Sequence, residues 1–588
     1  MLDSRLYRAA FLPAALVLLV VAFSLTERPR PIGTTLSVDT FSGQRAADTL
    51  ERISRFRDRR PGSAGDQGLA RFVSDELRLL VPGTIDSMTF TGDTIDGERE
   101  LINVVATRPG APGPEIVVVA HRDAAEPGST AELSATAALL ELARVAGAGR
   151  LQRTITFVST SGGSGGFAGA VEAARRLNRP VDAVIVLGAV GAVGRYRPMV
   201  VGFSNGPAQA PLQLQRTLQQ AVEREVGELP GTPRAFVQGL RMAAPMTLGE
   251  QGPFLEAGLP AVLVSPTGER TPSADAAVTT AGMGEFGRAV LSALYALDNG
   301  PDISSSGPTR ELVLRGKVVP AWAMRLLIFA FLLPPVVVAV DAVARLRRRR
   351  EPIAPWVVWA VSPSLALFVV CLAAIGLSVA GLIVVSPPAP VPPSALTLTS
   401  SVAVAAFVLL LLAGLTWGIV RPAVLRAVGL HQAMRPDRLG AGVAAGLVVS
   451  IVALLMWIAN PYAAGAMIPA AHLWLWAAAP EIGLRRVVAA VFTLFGVVLP
   501  LVVVVVLADV FSLSALQLPW FWTLLVAGGH QPWWTWTLWS LFWGVGLAVA
   551  LIVARRSAAP DVQPISVRGP GGYAGPGSLG GTTSARTR

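Results

Sequence analysis

The sequence predicts an α/β domain over residues 33–316 joined to a polytopic α-helical membrane domain over residues 318–556. Three observations carry this reading. Residues 115–144 run from a β-branched apolar stretch through a polar loop into an Ala/Leu-rich helical pattern, the unit from which parallel sheets are built. The 588-residue chain is 52% hydrophobic, with a mean hydropathy of +0.54, more apolar than an ordinary soluble protein. The excess lies at residues 9–25 and beyond residue 318, in runs long enough to span a membrane.

Taken in order, residues 1–8 carry Arg5 and Arg8 and should be cytoplasmic. Residues 9–25 read as a signal anchor. No clear small-x-small cleavage site precedes Glu27-Arg28-Pro29, which argues against the alternative, a cleaved signal peptide. In the α/β domain an amphipathic helix is expected over about 46–57. A buried strand follows over 116–120, then a helix from about Ser134, a second strand over 154–160 and a last helix over about 282–297. The Gly/Pro-rich segments 108–114 and 226–233 read as loops, and 299–308 as a linker.

Seven further spans are expected near 318–343, 357–383, 399–420, 439–459, 462–480, 487–511 and 533–554, making eight with the first. Arg345, Arg347–Arg350, Arg421, Arg426, Arg435, Arg438, Arg485, Arg486, Arg555 and Arg556 all fall in loops on one side, whereas 386–394 and 512–531 hold no Lys or Arg. The positive-inside rule then places both termini in the cytoplasm and residues 33–316 outside, in a plasma membrane of bacterial-envelope type. Residues 518–527 read as interfacial. Trp520, Trp522, Trp533, Trp534 and Trp536 fit an outer aromatic belt, and 557–588 a disordered tail. Arg325 and Asp509 are expected to snorkel or to pair with each other, and His472 to make a helix–helix hydrogen bond.

Charge and cysteine content exclude other classes. The net charge is +11, but residues 33–316 hold 27 Lys+Arg against 30 Asp+Glu. The basic excess therefore flanks membrane spans, and no nucleic-acid partner is expected. Cys371 is the single cysteine, so no intrachain disulfide framework exists.

Several segments together resemble a known family. They are His121-Arg122-Asp123 after the strand, the following AALLELAR helix, Arg59-Arg60-Pro61-Gly62-Ser63, Leu101-Ile102-Asn103-Val104-Val105, and Gly258-Leu259-Pro260-Ala261-Val262. Over about residues 40–300 the chain is similar to the zinc-dependent aminopeptidases, the clan MH metallopeptidases. That family includes bacterial aminopeptidases, glutamate carboxypeptidase II, the transferrin receptor and nicastrin. The resemblance implies a three-layer domain with a central mixed, mostly parallel sheet.

Carried over position by position, the family's site mostly does not survive. His121 matches a metal ligand, with Asp123 as its supporting partner. The bridging Asp falls on Ala131 and the Asn after it on Glu132. The Glu-Glu pair, general base and ligand, falls on Gly163 and Ser164, and a further ligand Asp on Gly188. A Ser-Asp-His stretch falls on Gly249-Glu250-Gln251, and the last His ligand near Arg270. One ligand in five remains, and the base is absent. Of the four histidines only His121 lies outside the membrane half, and a zinc site ordinarily needs about three protein ligands. The resemblance thus implies a catalytically inactive domain without a cofactor, serving binding or scaffolding toward an external peptide or protein. Two alternatives stand beside it. An active zinc exopeptidase would enlist Glu126 or Glu132. A serine hydrolase would use Ser164 of Gly162-Gly163-Ser164-Gly165-Gly166 with His121 and Asp123, since this loop satisfies G-x-S-x-G between strand and helix. The same loop could also bind an anion through its N–H groups.

Overall fold

A computed structural model describes residues 3–555 except 150, 178, 304–306, 308, 386–395, 397–398 and 430–438. The expected tail, the Arg-free loop at 386–394, and Arg435, Arg438 and Arg556 lie outside the described residues.

The α/β domain is organised on a seven-stranded mixed sheet of order β2-β3-β5-β4-β6-β8-β7. Its strands are β2 Thr84–Thr94, β3 Gly97–Arg108, β4 Ala111–His121, β5 Arg153–Thr160, β6 Val181–Leu187, β7 Val200–Val201 and β8 Ala261–Val264. The four inner strands β5, β4, β6 and β8 run parallel, and β2, β3 and β7 add antiparallel edges. Ile116 to Ala120 are wholly buried, as an all-apolar strand covered on both faces must be. Residues 111–114, expected to be loop, instead extend β4, with a register shift between Ala111 and Ile116 that absorbs the Gly-Pro irregularity.

The helix after β4 is Thr130–Ala148, four residues longer at its start than the periodicity predicts. Its first turn holds Ala131 and Glu132 inward, and Ser134 Oγ donates to Ala131 O while accepting from the Gly191 N–H. An inward-turned first turn lacks the polar outer face that marks a helix in sequence. The first helix of the domain likewise starts early, at Gly43–Ile53, because Ser42 caps it by accepting from Arg45 N–H. The last is Thr280–Asn299.

The second half is a helical bundle. Among the described residues, five helices are long and apolar enough to cross a membrane: Ser4–Phe23, Ala321–Arg348, Ser400–Ala427, Leu439–Ala459 and Trp533–Ala554. There are up to seven if each of two bent pairs is one span. These are Ala354–Val361 with Ser364–Val379, bent by 50°, and Arg486–Gly496 with Val498–Val510, bent by 43°. The remaining expected span, near 462–480, is the helix Pro461–Ala478, which is not among these but packs in the same core. Gln517–Ala527 is a helix of 11 residues. At 1.5 Å per residue it spans about half a hydrocarbon core, which suits an interfacial segment.

Polar residues of the bundle settle three expectations. His472 accepts or donates at Nδ1 with Tyr7 OH at 2.6 Å and contacts Phe331 O through Nε2 at 2.8 Å, so it links three helices. Arg325 stacks on Trp457 at 4.8 Å. It does not pair with Asp509, whose partner is Arg270 of the α/β domain at 3.4 Å.

That contact belongs to a wider seam. β1 Thr26–Glu27, β9 Leu312–Val313 and β10 Lys317–Val319 form a small antiparallel sheet that stitches the exit of the first helix to the entry of the second. The helix Ala235–Ala243, the docking helix, buries Leu240, Met242 and Ala243 in the core of the bundle. Asn460 Nδ2 donates to Met242 O at 2.8 Å, and Tyr462 OH to Arg310 O at 2.8 Å. Arg241, almost fully buried, forms a two-pronged ion pair with Glu269 at 2.7 and 3.0 Å and lies over the rings of Phe203 and Phe511.

Candidate functional site

Inner strands of a parallel sheet deliver their last residues to one edge, and loops there build the site. β4 delivers His121, Arg122 and Asp123. Arg122 turns beneath the edge, fully buried, pairing with Asp66 at 2.9 Å and donating to Ser159 O and Ile102 O. Asp123 is also fully buried. Its carboxylate accepts the N–H groups of Gly163 and Ser164 at 2.9 Å each and the Ser164 hydroxyl at 2.5 Å. Asp123 therefore holds the glycine loop. His121 Nδ1 instead lies 3.0 Å from the backbone carbonyl of Asp123 and 3.8 Å from its carboxylate. Because a carbonyl only accepts, Nδ1 carries a proton.

This arrangement differs from the one that the alternatives for the loop require. A nucleophilic serine needs its hydroxyl donated to a histidine, and Ser164 donates to Asp123. An anion would need the loop's N–H groups, and two of them are already spent on that carboxylate.

His121, Glu132, Gly163, Ser164, Gly188, Glu250 and Arg270 line one cavity of about 70 Å³. Most of the positions found by resemblance thus line one cavity, with Asp123 behind them. Ala131 is buried against Ala189 and Ala192. Glu126 is exposed and does not line the cavity.

The room that ligands would need is occupied. A Cβ on Gly163 would lie 2.3 Å from His121 Cβ and 2.6 Å from its Cγ; one on Gly188 would lie 2.5 Å from Ser265 Cβ. At both positions a neighbouring side chain stands where a new side chain would begin. Arg270 lines the cavity, but its guanidinium lies over Tyr196 at 4.1 Å and on Asp509. It is thus committed to the seam with the bundle.

Sequence reasoning missed Glu250 as a site acid. It follows the docking helix by seven residues and accepts from Thr160 Oγ at 2.6 Å, while its buried Oε2 has no hydrogen-bond partner. Its place in the Ser-Asp-His stretch of the resemblance was the available signal. Burial pushes the carboxyls of Glu132 and Glu250 up to about 7, partly offset by His121. Burial alone would lower the His121 pKa, but Asp123, Glu250 and Glu132 outweigh it and hold it above its ordinary value. The cluster balances its surplus carboxylates with protons.

Residues 103–270 match peptidase family M28. Among solved structures, the chain is similar to Porphyromonas gingivalis glutaminyl cyclase (19% identity, TM-score 0.32), covering 44% of this chain and 98% of that one. It is similar to a Zn-dependent exopeptidase from Parabacteroides distasonis (15%, TM-score 0.31), covering 44% and 99%. A leucine aminopeptidase precursor from Bacteroides thetaiotaomicron (13%, TM-score 0.35) is covered to 100%, over 45% of this chain. No curated protein matches the chain. Zinc, implied by the M28 match, does not fit the residues present. His121 stands where a general base at Gly163 would begin and Ser265 where a ligand at Gly188 would begin, and among the described residues no group of three His, Cys, Asp or Glu is disposed to hold a metal.

Proposed function

We propose that the M28-like domain is a non-hydrolytic binding or scaffolding module, held outside the cell on a membrane bundle and directed at an external peptide or protein. The observation that carries this is the occupation of the Gly163 and Gly188 positions by the His121 and Ser265 side chains. A lost base or ligand that left a hole could be replaced by a water or a neighbouring carboxylate; a filled position cannot, without moving the strand ends. The placement of both termini in the cytoplasm rests on the one-sided arginine clusters.

Full-length protein in detergent, equilibrated with micromolar zinc and desalted, should retain less than about one tenth of a zinc per chain, as expected where three-ligand coordination is lacking. It should not cleave aminoacyl-nitroanilides or dipeptides above a buffer control. The second reading, an active exopeptidase, draws on one observation: His121, Glu132 and Glu250 face the same cavity. Stoichiometric zinc with chelator-sensitive cleavage, abolished by His121→Ala, would establish that reading and sink the first.

A further inference from the structure

The docking helix does not end where the bundle ends. Leu240 and Ala243, four and seven residues beyond Phe236, lie on one face of the helix Ala235–Ala243, and both are buried in the bundle core. Phe236 continues this stripe by one turn and is 57% exposed. The apolar face therefore overhangs the protein that covers its other end. Leu229, in the loop before the helix, is 61% exposed. Tyr196, 47% exposed, stacks on Arg270, which reaches Asp509 at the end of Val498–Val510. On that helix Leu501 and Val505 are exposed too. If it crosses a membrane, they face acyl chains.

We infer that Phe236, Leu229 and Tyr196 form a lip of the external domain that inserts into the outer face of the bilayer, beside the Val498–Val510 helix. The partner is a lipid surface. The argument for lipid over protein is continuity: the stripe is one face of one helix, half of it already sunk in the membrane bundle, and the overhang adjoins a helix whose exposed side chains are aliphatic. Charge agrees. Arg234 precedes the helix, is exposed and makes no ion pair among the described residues, so it can meet phosphates while Phe236 sits below them. Interfacial amphipathic helices combine aromatic depth with basic flanks in this way. Arg195 and Arg197 contribute less, since both are paired with Glu228. The lip would fix the height of the cavity above the bilayer, because the segment leaving the docking helix carries Glu250 to the cavity wall. The inference rests on the membrane reading of the bundle.

The test uses full-length protein carrying Cys371→Ala, reconstituted in nanodiscs, with one nitroxide-labelled cysteine at a time at Phe236, Leu229, Val505 or Leu79. Val505 reports the bundle in lipid. Leu79, 83% exposed on the helix Ala64–Leu80, reports the aqueous face of the domain. Relaxation by oxygen relative to a water-soluble nickel chelate reads depth. The Phe236 and Leu229 labels should give oxygen-to-nickel ratios several-fold above Leu79 and approaching Val505. Ratios equal to that of Leu79, with Val505 in lipid, overturn the lip alone. A Phe236 label shielded from both reagents puts protein over the lip and overturns it as well. A Val505 label in water overturns the membrane reading together with the lip.

Discussion

Replacing Glu250 by glutamine should stabilise the protein at alkaline pH and do almost nothing at acid pH. Glutamine keeps the shape of the protonated acid, and its carbonyl oxygen can still accept from Thr160 Oγ. The wild-type carboxyl has a folded-state pKa raised from 4.5 to about 7, by burial first. A raised folded pKa contributes stability that is complete below the unfolded value and lost as pH rises through the folded value. Between pH 4.5 and 7 the wild type therefore loses about 3 kcal/mol through this group, at 1.36 kcal/mol per unit. Glu132 and His121, both also raised, push stability in the same direction. Thermal unfolding followed by tryptophan emission should show wild type melting lower at pH 8 than at pH 5. Glu250→Gln should melt on the order of 10 °C above wild type at pH 8, taking about 2–4 °C per kcal/mol. At pH 5 the two should nearly coincide. Parallel pH curves for the two proteins, or a less stable glutamine variant at pH 8, would refute the account of protons replacing metal charge.

Other consequences are open to direct measurement. Arg241→Ala strands Glu269 in the seam with only Thr247 Oγ as a partner, so it should cost about 3–5 kcal/mol, while replacing both charges with leucine and methionine recovers most of that; a neutral Arg241→Ala would be the contrary outcome. Gly188→Ala should destabilise by about 1–3 kcal/mol through overpacking against Ser265, and Ser265→Gly in the same chain should relieve it; no relief would mean that the clash lies elsewhere. A reporter fused after Arg555 or inserted at Gly483 should read cytoplasmic, and one inserted at Asp96 external; any reversal breaks the topology.

Much of the fold was legible because burial writes itself into sequence. Ile116–Ala120 could only be an inner strand, and the AALLELAR helix behind it only a buried one. What failed were boundaries and partners. The Thr130–Ala148 helix begins before its period is visible, since Ala131, Glu132 and Leu133 of its first turn are all buried and mark no solvent face. His121, Gly163, Ser164, Gly188 and Arg270 line one cavity, the first four because β4, β5 and β6 end at the same sheet edge. Which atoms meet there was not legible. That Asp123 would turn to the glycine loop rather than to His121 depends on the loop's N–H groups lying within reach, a fact of three dimensions. Glu250 was overlooked for a similar reason: 129 positions separate it in sequence from the histidine whose charge it modulates. Of the two expectations for Asp509, snorkelling or pairing with Arg325, the pair does not form, and Asp509 answers Arg270, 239 residues away.

The burial of the docking helix also bears on how this protein can be handled. A cut after residue 316 would follow the sequence boundary between soluble-looking and apolar halves, yet it would lay bare Leu240, Met242, Ala243 and Met246. It would also strip Met242 O of its Asn460 donor and remove Phe511 from above Arg241. Such a fragment would carry a newly wetted greasy face in the same stretch of chain that supports Glu250, and would be prone to self-association. The half that looks like a free-standing peptidase is, in its energetics, completed by the helical bundle it rests on.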